Sequence, residues 1–155
     1  VRAPTFKSPR KNWASSLPKD TQRVVIDTAA GTTADELECY LDEIDALVVP
    51  ILPSVFDLES SSAFLASVAK LPKIKRGKVA VGLIANRLKP WTHQSSESIR
   101  EISQWPFPLI AQLRDSTGYV VLTGLGKSIF DFNSEQVRNH QEDWMPLLRW
   151  LKKTK

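Results

Sequence analysis

The sequence predicts an α/β fold, a three-layer sandwich in which a mostly parallel sheet is covered by helices on both faces. Three observations predict it. Short, near-continuous apolar runs recur at 23–28, 46–51, 78–88 and 107–113, as expected of strands buried on both faces. Between them lie stretches with helical periodicity and helix-start signals, giving strand–helix alternation. A chain of 155 residues, 42% hydrophobic and 25% charged, has the size and composition of one globular domain, so residues 1–155 are read as a single domain.

Residues 1–22 are a basic, Pro-punctuated lead-in without a period. "RVVIDT" (23–28) reads as a first buried strand. After "AAG" comes a helix start. Thr33 with Glu36 three residues on is a capping box, and Leu37, Tyr40, Leu41 and Ile44 put one apolar stripe on that helix. "ALVVPI" (46–51) is a second strand, closed by Pro50 and Pro53. Asp57 can cap the next helix, which turns Leu58, Phe64, Leu65, Val68 and Leu71 inward and ends at Pro72.

"KVAVGLIANRL" (78–88) is the third strand and the longest apolar run; Pro90 breaks it. A polar helix around 95–105 carries Ile99 and Ile102, and "FPLIAQL" (107–113) is the fourth strand. The stretch 116–126 stays open, because Tyr119, Val120 and Val121 favour strand while context can impose helix. Ser134 can cap a last helix bearing Val137, Trp144, Leu148 and Leu151, which Pro146 is expected to kink or divide.

Ligands of parallel sheets sit outside the carboxyl ends of the strands, which here read "DTAAG", "LPSVFD", "NRL" and "RDS". Asp27 ends an apolar run in the manner of a Walker B carboxylate, which reaches Mg2+ directly or through water. Thr28 adds a hydroxyl, and Gly31 offers a backbone N–H that can approach a phosphate closely. A strand-ending turn explains the same residues. Asn86, followed by Arg87, either reads a purine edge with its paired donor and acceptor or forms a turn. Arg114 and Asp115 are either a clamp on a base or a surface ion pair. "GLGKS" (124–128) resembles a phosphate loop only in isolation. Val121 stands where the first glycine is required, so the stretch is read as a C-terminal turn.

The net charge of +4 is uneven. Lys70, Lys73, Lys75, Arg76 and Lys78 fall within nine positions, while 35–45 is acidic. A basic run of this kind is either a solvated loop or a surface for a polyanion such as DNA. The single cysteine, Cys39, precludes an internal disulfide and any multi-Cys metal site, which suits a reducing, cytoplasmic setting. No apolar run approaches the ~20 residues of a membrane span, and the first residues carry no secretory h-region, so no membrane is expected.

Taken together, "VVIDTAAG", "DALVVPILPSVFDLES", "VGLIANR", "LRDSTGY" and "GKSIFDF" resemble the ParA/MinD family of deviant-Walker ATPases, nearest its ParA branch, over residues 23–151. The resemblance implies a P-loop NTPase-like sandwich that binds ATP with Mg2+ and forms an ATP-dependent homodimer. It implies a role in plasmid or chromosome partitioning or cargo positioning, with non-specific DNA and a ParB-like adaptor as partners. It assigns Asp27 to the catalytic aspartate near Mg2+ and Gly31 to the glycine that senses the γ-phosphate. Asn86 and Arg87 match the pair at the adenine, and the loop from Arg114 matches the segment against the base. Pro50, Ser54 and Asp57 match a structural and interface-forming stretch. The family's "DTPAG" is "DTAAG" here, with Ala29 in place of proline.

The phosphate loop of that family, "KGGxGK[TS]", belongs tens of residues before "VVIDTAAG", and the 22 residues that stand there do not match it. The chain is therefore expected to be a fragment whose sheet lacks a central strand, leaving its neighbours with open edges, so that alone it is poorly stable or self-associates unless another segment fills the gap. Three functions follow as expectations. The first is an ATPase in its full-length form. The second is a nucleotide-free pseudo-ATPase acting as a DNA- or partner-binding module. The third is another enzyme of this fold group, such as a dethiobiotin-synthetase-like ligase, for which no substrate pocket is legible.

Overall fold

A computed structural model of the chain describes residues 17–154; most of the basic lead-in lies outside the described residues. Three strands, β1 (Ala46–Ile51), β2 (Ala80–Leu88) and β3 (Leu109–Arg114), form an all-parallel sheet in the order β1-β2-β3. β1 matches β2 without interruption from Ala46↔Ala80 to Ile51↔Ala85. The pairing of β2 with β3 is shifted twice, between Leu83 and Ile84 and again between Ala85 and Leu88.

The strands carry apolar residues on both faces because both faces are covered. Leu47, Val49, Ile51, Val81, Leu83 and Ala85 pack against α1 (Ala34–Leu37), α2 (Val55–Val68) and α4 (His93–Ile102). Leu65, Val68, Leu83 and Ile102 are fully buried there, each worth about 1.5–3 kcal/mol relative to exposure. Val48, Ile84, Ala111 and Leu113 face the other way, against Trp144, Leu147, Trp150 and Leu151 of α6 (Glu135–Lys153). Gly82 lies under Trp150: a Cβ there would sit 3.1 Å from the indole and 2.5 Å from Ile110 Cδ1. Absence of a side chain lets α6 approach the sheet. Among the described residues no helix is long and apolar enough to cross a membrane.

Several sequence expectations change. The expected first strand, 23–28, is not a strand: it runs unpaired, with Val24 43% and Val25 92% exposed. Apolar patterning supplies burial propensity but not a partner, and among the described residues no strand lies beside it. The capping box at Thr33 forms as expected, its N–H donating to Glu36 Oε2 at 2.8 Å, but α1 lasts one turn. Three-residue turns at Tyr40, Leu41 and Glu43 continue it, and Leu41 is still buried. Ser54, not Asp57, caps α2; Asp57 sits three residues inside, where its N–H donates to Ser54 Oγ at 3.2 Å. The strand expected at 107–113 begins at Leu109.

The open stretch 116–126 resolves as helix α5 (Thr117–Gly124), capped by Ser116. Pro146 lies inside α6 without dividing it; the lost N–H faces solvent, where the freed carbonyl can be hydrated. "GLGKS" closes α5. Gly126, at φ 66, donates to the Thr123 carbonyl and Lys127 to that of Leu122, both at 2.9 Å, which is a Schellman motif. Ser128 then caps the 3-10 turn Ile129–Asp131 in a capping box with Asp131. Its N–H and hydroxyl hold the Asp131 carboxyl below the usual aspartate range. The segment is two abutting caps.

Candidate functional site

The site is built at the carboxyl ends of the strands. Between the pairs Ala85↔Gln112 and Leu88↔Arg114, β2 has two residues, Asn86 and Arg87, where β3 has one. The extra residue makes a bulge, and Arg87 absorbs it at φ 53, the only left-handed non-glycine among the described residues. Such a backbone costs roughly 1–2 kcal/mol without glycine. Three contacts hold it. The Arg87 N–H donates to Asn86 Oδ1 at 3.0 Å, Arg87 Nε donates to Asp115 Oδ1 at 3.3 Å, and the Asp115 N–H donates to the Leu88 carbonyl at 2.8 Å. Asn86 thereby commits its acceptor to the backbone while its Nδ2 donors make no bond among the described residues. A half-exposed carboxamide beside a strained backbone at a strand end is the sort of place where recognition is found.

The loops after β1 and β2 are tied together beside this bulge. Gln94 Nε2 donates to the Pro53 carbonyl at 2.7 Å. Thr92 caps α4 through the Ser95 N–H, and the buried Ser95 hydroxyl accepts from the Lys89 N–H at 3.0 Å. Val55 and Phe56, at the start of α2, and Trp91, in the loop after β2, are exposed beside this tie, Trp91 at 95%. Neither Gln94 nor this apolar rim was legible in the sequence, since a polar helix start gives no hint of a partner 41 residues away.

At the end of β3 the chain turns its arginine elsewhere. Arg114 Nε donates to Asp143 Oδ2 at 2.8 Å, its second nitrogen reaches Asp143 Oδ1 at 3.0 Å, and it also meets the Asn139 carbonyl. The bond to Asp143 pushes the guanidinium pKa up against a smaller loss from burial. Beside it, Trp144 Nε1 donates to Tyr119 Oη at 3.1 Å; burial pushes the phenol pKa up, and that bond offsets part of the shift. The β3 end is thus clamped to α6. Of the two residues expected at a base, Asp115 joins Arg87 and Arg114 serves the clamp.

Asp27 and Thr28 are exposed, outside any strand, and make no side-chain hydrogen bond among the described residues. Gly31 stands at φ 77 in a turn closed by Thr32 N–H to the Ala29 carbonyl at 3.2 Å, a conformation that requires glycine. The basic cluster lies at the opposite end of the sheet, around α3 (Pro72–Lys75) and the left-handed Gly77, just before β2. Lys73 pairs with Asp42; Lys70, Lys75, Arg76 and Lys78 are exposed and have no ion-pair partner among the described residues.

The larger cavity, about 520 Å³, is an open groove between α2 and Glu101 of α4, lined by Leu58, Glu59 and Ala63. Another of about 210 Å³ lies beneath α5, lined by Tyr119, Lys127, Phe130 and Trp144. Neither is lined by the residues expected at a site. Among the described residues no three His, Cys, Asp or Glu side chains gather to hold a metal ion. Mg2+ on phosphates needs only one or two protein carboxylates, so Asp27 alone suits a cation held chiefly by a nucleotide. The donors that would receive the triphosphate are not assembled among the described residues. No protein-family model matches the chain, and no curated protein matches its sequence.

Proposed function

We propose that the chain is the switch and base-recognition part of a ParA-like, P-loop-type ATPase, with the Asn86–Arg87 bulge receiving adenine. The observation that carries this reading is the bulge itself: a left-handed Arg87, braced by Asp115, that leaves the Asn86 amide donors free at the end of the middle strand. A free N–H2 suits adenine N1, which accepts a hydrogen bond where guanine N1 carries a proton. In this reading Asp27 would hold Mg2+, directly or through water, Thr28 and Gly31 would meet the phosphates, and Arg114 fixes the base loop by its hold on α6. An ATP-dependent homodimer acting on DNA or other cargo with a ParB-like adaptor belongs to the same proposal.

The test is Mg-ATP turnover by the protein translated from its complete reading frame. Asp27→Ala is expected to abolish turnover, and Asn86→Ala to raise KM for ATP with kcat little changed. Unaltered turnover in Asp27→Ala removes that residue from the site. A second reading, a nucleotide-free DNA- or partner-binding module, is favoured by the unpaired Lys70, Lys75, Arg76 and Lys78. Absence of turnover together with salt-sensitive DNA binding would select it.

A further inference from the structure

The outer side of α2 lacks the mixed charges usual on a solvated helix. Val55, Glu59, Ser62, Ala63 and Ala66 fall at i, i+4, i+7, i+8 and i+11, one stripe along the helix, and all five are exposed. They form one wall of the open groove of about 520 Å³, with the buried Leu58 also lining it and Glu101 of α4 on the other wall. The stripe spans about 16 Å, three turns of helix. Ser62, Ala63 and Ala66 are small enough to let a second helix axis come within about 8 Å. Val55–Val68 contains no Lys or Arg. Glu59 and Glu101 have no ion-pair partner among the described residues, and Arg100 beside them is paired with Glu97. We infer that this groove docks a helix of a partner protein, one with a narrow apolar stripe flanked on both sides by Lys or Arg.

The groove lies above the middle of the sheet. Leu58 and Leu65 of α2 and Ile102 of α4 bury in one cluster with Leu83 and Ala85 of β2. A further strand beside β1 extends the sheet sideways and leaves the outer side of this helix layer as it stands. Charge and shape together select the occupant. Acids on both walls call for cations on both flanks of the incoming stripe, and the uncharged residues between them call for apolar side chains. A second copy of the chain offers no such helix among the described residues. The apolar side of α6 is spent on Ile84, Ala111 and Leu113, α5 carries no cation, and α3 has four residues.

The test uses the protein from its complete reading frame, without nucleotide, so that its outcome is independent of the ATP reading. The probe is a designed helical peptide of about 18 residues, with leucines at i, i+4, i+7 and i+11 and lysines on both flanks. Its control carries glutamates on the flanks. Fluorescence anisotropy is expected to give a dissociation constant about tenfold lower for the lysine peptide, rising with added salt. Glu59→Lys with Glu101→Lys is expected to reverse the order. Ala63→Trp is expected to abolish binding of either peptide, with circular dichroism unchanged because all three sites are exposed. Amide NMR is expected to place the shifts at Glu59, Ala63, Ala66 and Glu101. Binding of neither peptide, equal binding of both, an order that survives the double charge reversal, or shifts centred on the acidic stretch 35–45 overturns the inference.

Discussion

Position 87 offers a test in which the usual ranking of two small residues reverses. In a strand interior glycine is less stable than alanine by roughly 0.5–1 kcal/mol, because the unfolded chain has more freedom to lose. At φ 53 the comparison changes. Alanine keeps a left-handed cost of about 1–2 kcal/mol that glycine does not have. Both replacements equally lose the pairing with Asp115, an exposed contact worth about 0–1 kcal/mol. Arg87→Gly is therefore expected to be more stable than Arg87→Ala by about 0.5–1 kcal/mol. That is a melting temperature about 1–4 °C higher for a chain of this size. Urea unfolding of the two variants at equal m-value measures the difference. Alanine equal to or more stable than glycine would refute a bulge held in the left-handed region.

Other expectations follow from the same geometry. Gly82→Val is expected to destabilise by about 1–3 kcal/mol through overpacking against Trp150 and Ile110, read as a lowered urea midpoint. Asp143→Ala is expected to lower the melting temperature and to move Tyr119 and Trp144 fluorescence, since Arg114 loses the partner that clamps β3 to α6. Glu36 and Asp131 have folded pKa values lowered chiefly by backbone N–H bonds at their caps, so the stability they contribute is present above their unfolded values and is lost as pH falls through the folded ones. Carboxyl titration by NMR is expected to show both midpoints below their ordinary ranges, with Thr33→Ala returning Glu36 upward. If the basic turn engages DNA, neutralising four phosphates predicts a log–log salt slope of about −3.6, which replacement of Lys75 and Arg76 should halve.

What the sequence disclosed and what it withheld divide along one physical line. β1 was legible to the residue, and β2 nearly so, because burial on both faces leaves an unbroken apolar run. The cap at Thr33 was legible because capping is local, whereas Ser134 stands at the start of α6 but makes no side-chain capping bond. Arg23–Thr28 carries the same apolar signal as β1 and yet forms no strand, since a pattern encodes the wish for burial and not the neighbour that grants it. α5 has β-branched residues and is helical because Ser116 caps it and Gly126 closes it. Asn86 and Arg87 were picked out, but not the left-handed bulge, which no glycine announces. Arg114's commitment to Asp143 joins residues 29 apart in sequence, beyond any periodicity.

The most direct measurement of the central claim is a two-dimensional amide NMR titration of the protein from its complete reading frame with Mg-ATP, repeated with Mg-GTP. The account predicts ATP-selective shifts concentrated at Asn86, Arg87, Leu88 and Asp115, and their loss in Asn86→Ala. Shifts confined to residues 70–78, or equal shifts with both nucleotides that survive Asn86→Ala, would contradict it.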